Sequence, residues 1–491
     1  MSLRQLLAVA AVLSSALAAP SQQPFSLPNR IDPLKHLSAI SPFFLPTEKP
    51  TPLPPRCSLT RVSLLVRHSS IMGNDDEYEQ TMGPFIHKIG NLSTDDLPDS
   101  GEWSFLREWE TPIVEERLEE LSGRGKKDAK KLGKYIRKQY DDLFPSKKRK
   151  SVDEARKGKK DKKGKDTTYK VWTASSDRDI ESAKAYILGS FPRHQSGDDG
   201  HGDGEVVQLV KVPNKARDWD RSLTPHKACD AFEKQSSLEP ASKWLDIYAP
   251  KVRARLAGTI PGLAEKLDDQ DILAMQMLCG YETIAQGFSP FCHVFTDEEW
   301  LDFEYYMDVR FHYMMGYGND LSPYLGMPWV KTAKHLLGGK DSDSDSTSDD
   351  EANSLQPLPE PKLPPNASHS QLLHPSFTHR ESPAFVSVFL NLYNSSTSAH
   401  PASHPPSLDH RVPNRDWRTS HLVSFLGHVA LERFHCKGDG DYVRAVVNGK
   451  HEVMHGCEDG LDGSCRWKTF HDWVDERALR WGDWESVCDV K

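Results

Sequence analysis

Apolar residues in this chain come in short runs and helical stripes, separated by long polar stretches. Residues 61–66, a run of Val, Ser and Leu after Arg61, read as a buried strand. Leu132, Tyr135, Ile136 and Tyr140 recur at helical spacing, with Gly133 a mild cost inside the stripe. Residues 169–172 form a second short strand, and residues 371–378 return to strand character. Ser382-Pro383 then opens a helix with Phe385, Val386, Phe389, Leu390 and Tyr393 on one face, Ser acting as cap and Pro taking the first turn. Residues 229–336 have few strand runs and many aromatics, among them Trp244, Tyr248, Trp300 and Tyr305, and read as a helical subdomain. Strand followed by helix, repeated along the chain, predicts an α/β sandwich with a central, mostly parallel sheet plus the smaller helical subdomain. Ligands in such sheets sit at the C-terminal ends of the strands.

The polar stretches divide the chain further. Residues 1–18 carry one cation, a short apolar run and the small-residue pattern Ala16-Leu17-Ala18, so a signal peptide cut after Ala18 is expected. The run is too short for a comfortable membrane span. Residues 19–56 are rich in Pro and Ser and read as an N-terminal arm, leaving 57–491 as the main domain. Two charged insertions, about 146–166 and about 338–370, lack the apolar residues to build a core and read as disordered. The first holds 11 Lys/Arg against 3 Asp/Glu between 147 and 165, including the dibasic pair Lys148-Arg149; the second alternates Asp with Ser. Both lie between a helix and the next strand, which places them away from the ligand edge.

Composition narrows the class. The chain has 491 residues, 37% hydrophobic and 27% charged, which supports a sizeable core. A net charge of -9 argues against nucleic acid as the partner. Eight cysteines, an even number, fit a secreted, disulfide-bonded chain, though 105 pairings are open. Sequons at Asn91, Asn366 and Asn394 agree with that route as glycosylation sites.

Three polar clusters end strands. Leu65-Val66-Arg67-His68-Ser69 follows the first. Trp172-Thr173-Ala174-Ser175-Ser176-Asp177-Arg178, with Ser182-Ala183 beyond, follows the second. Phe377-Thr378-His379-Arg380-Glu381 joins a strand to a helix start. Together they bring two histidines, up to three guanidiniums and a carboxylate to one sheet edge. That set suits a phosphate monoester. Guanidiniums match phosphate oxygens, imidazole is a nucleophile toward phosphorus, and a carboxylic acid can protonate a leaving alkoxide.

These residues resemble the histidine acid phosphatases, specifically their secreted fungal phytase-like branch. The resemblance extends to Cys279-Gly280-Tyr281-Glu282-Thr283, to Ser289-Pro290-Phe291-Cys292, and to Tyr442–Asn448 with His455-Gly456-Cys457 and Cys465. It implies His68 as the nucleophile, forming a phosphohistidine, and Glu381 as the proton donor. Arg67, Arg178 and His379 are the implied phosphate ligands, with no cofactor and no metal. It also implies the disulfides Cys57–Cys436, Cys229–Cys488, Cys279–Cys292 and Cys457–Cys465. The implied substrate is a phosphorylated small molecule, with inositol phosphates as one class, and the implied location is extracellular.

The chain departs from the family pattern Arg-His-Gly-x-Arg. Ser69 replaces the Gly and Ile71 the second Arg, while Arg380 stands where most members have the acid, which follows here as Glu381. This His-x-Glu order is similar to that of the multiple inositol polyphosphate phosphatases. Arg380 and Ser69 are further candidates for phosphate contact. The departures leave two readings open: a secreted phosphomonoester hydrolase, or a pseudo-phosphatase that binds phosphorylated or anionic ligands without turnover.

Overall fold

A computed structural model describes residues 31–46, 50–145, 169–191, 207–214, 223–338, 371–394 and 405–489. The expected signal peptide, both charged insertions and Asn366 fall outside these residues. Pro33–Lys491 forms one unit.

Eight strands make one mixed sheet: β1 (Cys57–Arg67), β2 (Tyr169–Ala174), β3 (Val207–Val212), β4 (Leu373–Thr378), β5 (His428–Cys436), β6 (Gly440–Val447), β7 (Lys450–Glu452) and β8 (Cys465–Arg466). Their order is β3-β2-β4-β1-β5-β6-β7, with β8 also paired to β6. The half β3-β2-β4-β1 is parallel, and β5 to β8 extend it antiparallel. β1, β2 and β4 are therefore neighbours whose C-terminal ends coincide: Arg67 pairs with Thr378, and Thr173 with Phe377.

Helices α1 (Gly123–Gln139) and α2 (Asp177–Ser190) cover one face. Val62, Leu64 and Val66 of β1, spaced two apart, share a core there with Leu132, Ile136, Ala183, Tyr186 and Phe377. Gly133 is more than a weak spot in the α1 stripe. A Cβ there would lie 2.2 Å from the Tyr186 carbonyl, and one at Gly189 would lie 2.1 Å from that of Lys130. The two glycines let the helix backbones touch.

From Leu238 to Gly338 the described chain is mostly helical: α3 (Leu238–Thr259), α4 (Asp269–Gln286), α5 (Asp297–Met315) and α6 (Ser322–Gly338). Capping boxes start α4 (Asp268 with Asp271) and α5 (Thr296 with Glu299), and Gly287 ends α4 at a φ of 99°. α6 packs against α7 (Glu381–Phe389), and both touch β1. The expected cap of α7 needs correction. The helix begins at Glu381, and Ser382 lies inside it, its hydroxyl donating to the Leu223 carbonyl at 2.5 Å. The N-terminal arm is part of the core from Leu37 onward: Leu37, Ala39 and Ile40 are buried, and Gly280 of α4 makes room for Ile40.

The bonded cysteine pairs are Cys57–Cys436, Cys229–Cys488, Cys279–Cys292 and Cys457–Cys465. The first bridges opposite residues of β1 and β5, and the second ties the segment before α3 to the C-terminus. Loops of such length remove entropy of about 5.5–6 kcal/mol from the unfolded chain in the simple closure picture.

The Gly133 contact yields a prediction. Gly133→Ala gains about 1 kcal/mol of helix propensity but drives a methyl into a backbone carbonyl, an overpacking of about 3 kcal/mol. The net loss of about 2 kcal/mol should appear in chemical denaturation; a stabilised variant would refute the close packing.

Candidate active site

All three polar clusters emerge at the joined ends of β1, β2 and β4. His68 follows β1 directly, its N–H donating to the Thr378 carbonyl at 2.8 Å. The ring is buried, and its Nδ1 lies 2.9 Å from the Ser69 carbonyl. A carbonyl only accepts, so Nδ1 carries the proton and Nε2 keeps its lone pair. Burial, with Arg178, Arg67 and His379 nearby, lowers the His68 pKa well below 6.5. The imidazole therefore stays neutral in moderately acidic solution.

His379 stands edge-on to His68, ring centres 6.2 Å apart. Its Nε2 lies 2.9 Å from an Asp179 carboxylate oxygen and 3.1 Å from the Ser176 hydroxyl. Asp179 comes from the first turn of α2, where a carboxylate also suits the helix dipole. With Nε2 engaged, Nδ1 is the ring atom left for a substrate.

The guanidiniums are more committed than their sequence positions imply. Arg67 Nη1 donates to the carbonyls of Ala39 and Val423, at 2.5 and 2.6 Å, while Nε has no partner. Burial and the adjacent Arg380 lower the Arg67 pKa to about 9, so it remains a cation in acid. Arg178 pairs through Nη1 with Glu119, a residue at a φ of 63° whose other oxygen accepts from Asn74 at 2.7 Å.

The two further candidates for phosphate contact, Arg380 and Ser69, both have partners within the protein. Arg380 Nη1 donates to Glu77 at 2.6 Å, the other oxygen of Glu77 accepts from Tyr281 at 2.6 Å, and the guanidinium covers the Phe311 ring. Burial alone would raise Glu77, but Arg380, Arg310 and Tyr281 bring it below the usual carboxylate value. Arg380 is thus paired with a buried carboxylate inside the protein. The Ser69 hydroxyl donates to the Gly125 carbonyl at 2.8 Å, so its side chain turns toward α1. The Ser69 N–H donates to Ser182 Oγ, which itself donates to the Arg178 carbonyl, linking the first two clusters. Ile71 is 2% exposed and bridges Leu121 through its backbone, so position 71 brings no charge.

Glu381 is buried at the start of α7 and makes no hydrogen bond among the described residues. Its nearest ionisable neighbours are His226 Nε2 and Arg380 Nε, each at 3.8 Å. Burial lowers His226 to about 3, so it is neutral over most of the acid range. Burial would raise Glu381, yet His226 first, then Lys234, Arg380 and His379, hold it well below the usual carboxylate value. His226, His379 and Glu381 each place one donor atom within 4.8 Å of the others. Two imidazoles and a carboxylate are a donor set that a divalent transition metal accepts.

His226, Lys227, Glu119 and Asp179 escaped the sequence reading. The first two sit in the helical turn Pro225–Ala228, whose only sequence mark is the neighbouring Cys229.

Comparison with known proteins follows the same line. The profile of the histidine phosphatase superfamily (branch 2) matches residues 75–448, beginning just after the His68 segment. An acid phosphatase of Schizosaccharomyces pombe is 26% identical over 449 residues, covering 89% of this chain and 86% of its own. Phytase A of Emericella nidulans is 26% identical over 327 residues, 64% of this chain and 66% of its own. Among solved structures, the phytase from D. castellii has the same fold, with a TM-score of 0.70 at 20% identity over 93% of this chain and 87% of that one. A Bifidobacterium longum multiple inositol polyphosphate phosphatase, solved with inositol hexasulfate, gives 0.55 at 13% identity over 90% and 97%. With the family profile covering most of its length, this chain belongs to the histidine phosphatase superfamily, branch 2.

Proposed function

We propose that this chain is a secreted phosphomonoester hydrolase that works through a phosphohistidine on His68. The observation that carries the reading is the His68 tautomer: Nδ1–H bonded to the Ser69 carbonyl leaves Nε2 as a neutral nucleophile among cations. The Nε2 lone pair attacks phosphorus, and the ester P–O bond breaks. Glu381 gives its proton to the leaving oxygen. Water then attacks the phosphohistidine, its proton passes to Glu381, and the P–N bond electrons return to His68. Arg178, the free edge of Arg67 and His379 hold the non-bridging oxygens.

Glu381 must first gain its proton. A phosphate dianion arriving beside Arg178 and His379 offsets the positive field that keeps Glu381 ionised, which raises its pKa. Substrate and proton are therefore taken up together, which favours acidic operation.

Secretion rests on the paired cysteines and the expected leader. Among the described residues no helix is long and apolar enough to cross a membrane. Asn91 is exposed at a helix end and open to a glycan, whereas Asn394 is half-buried with its amide donating to Asn391 at 2.7 Å.

For substrate, simple monoesters fit better than fully phosphorylated inositols. Several described cations on the segments around the strand ends face acids: Lys234 faces Asp76, Arg124 faces Asp128 and Lys126 faces Glu181. Inositol polyphosphates, to which the related phytases' names refer, are then secondary substrates.

Three measurements test this function. His68→Ala should reduce phosphate release to background while secretion is unchanged; undiminished turnover would overturn the mechanism. Glu381→Gln should slow an alkyl phosphate about 10²–10³-fold but p-nitrophenyl phosphate less than tenfold, since a phenolate leaves with little help. Equal losses would remove Glu381 as the acid. In kcat/KM against pH, loss of activity on the acid side reports protonation of His68. Because its pKa is depressed, that limb should lie well below the ordinary 6.5; a midpoint at or above it would contradict the buried, neutral nucleophile.

A further inference from the structure

A phosphoryl group carries two negative charges that a hydrolase of this kind must offset, and the family's second arginine is here Ile71. Among the described residues, the other cations around His68 do not make up the loss. Arg178 faces Glu119, Arg380 faces Glu77 and Lys234 faces Asp76. Arg67 has Nη1 bound to two backbone carbonyls.

Lys227 differs from all of these. Among the described residues no carboxylate lies within ion-pair distance of its ammonium. It is half-buried, and it lies in the fields of Arg178, Glu381 and Asp179, which border the space in front of His68. Burial and Arg178 lower its pKa, as expected of a cation set beside another cation without a counter-ion.

The turn that carries it is held in place. Thr378 and Ser382 hydroxyls both donate to the Leu223 carbonyl just before the turn, and Cys229 just after it is bonded to Cys488. The adjoining His226 ring lies 5.7 Å from His379 and its Nε2 3.8 Å from Glu381. The turn therefore leans over the ends of β4 and α7, against the proposed reaction centre.

We propose that Lys227 is a substrate-phosphate ligand, its ammonium supplying from the Pro225–Ala228 turn the positive charge that position 71 lacks. A lysine on a short turn replaces an arginine from the strand-end loop. It offers a point charge rather than a fork, so it neutralises without fixing two oxygens at once. This rests on the hydrolase reading and names a further group of the same site.

The test uses the full-length secreted protein and the variants Lys227→Met, Lys227→Gln and Lys227→Arg, each checked for an unchanged thermal midpoint. Lys227→Met and Lys227→Gln should lower kcat/KM for p-nitrophenyl phosphate about 10²-fold and weaken binding of inorganic phosphate, measured by calorimetry, at least tenfold. Lys227→Arg should restore most of both. Values within twofold of the parent for Lys227→Met and Lys227→Gln in both assays would overturn the assignment, as would failure of Lys227→Arg to restore them. The phosphate titration needs no turnover. A parent chain that binds phosphate but releases none would therefore overturn the hydrolase reading, while the variants still decide Lys227. A parent that does neither would overturn both.

Discussion

The hydrogen bond from His68 Nδ1 to the carbonyl of the next residue is the interaction on which the site depends. It decides which ring nitrogen holds the proton, and hence which one is free to attack in the proposed mechanism. The ring could not keep that arrangement if it were free to turn. It is fixed by position, since its own backbone continues the β1–β4 ladder and its neighbour Ser69 is tied to Ser182 and Gly125. Burial among cations adds the second requirement of the proposed mechanism, an imidazole that resists protonation in acid.

Around this ring the protein places positive groups and then restrains most of them. Buried guanidiniums need partners, and unpaired burial is expensive. Glu119, Glu77 and the Ala39 and Val423 carbonyls meet that need for Arg178, Arg380 and Arg67. The consequence is a site whose field is milder than its arginine content implies. The arm is drawn into this arrangement, because Ala39 supplies one of the carbonyls that orient Arg67, and the bare Cα of Gly280 is what admits Ile40 beside it. A segment that looks like a leader in composition is therefore a structural support of the reaction centre.

Sheet order explains why three clusters far apart in sequence meet. β1, β4 and β2 are adjacent and parallel, so residues that follow their last paired positions must emerge side by side. The antiparallel extension from β5 onward adds no polar cluster to this edge; it closes the other side of β1 and carries the Cys57–Cys436 bridge.

Strands β1, β2 and β4, helix α1 and the three strand-end clusters were legible in the sequence, because apolar periodicity and the polar residues that interrupt it are local properties. The resemblance supplied the disulfide pairs, which spacing alone left open. What the sequence could not reveal were interactions between segments. Arg380 next to Glu381 reads as a spare cation until Glu77, some 300 residues earlier, is seen to neutralise it. Ser69 reads as a candidate phosphate contact, and the structure shows its hydroxyl bonded to the Gly125 carbonyl of α1. Gly133 reads as a weak helix position until α2 touches it. His226 and Lys227 carry no local signal, since their significance is only that a turn before a disulfide lies over the end of β4. Secondary structure follows from neighbours along the chain, but the charge state and freedom of each site residue follow from neighbours in space, and those only the folded structure could decide.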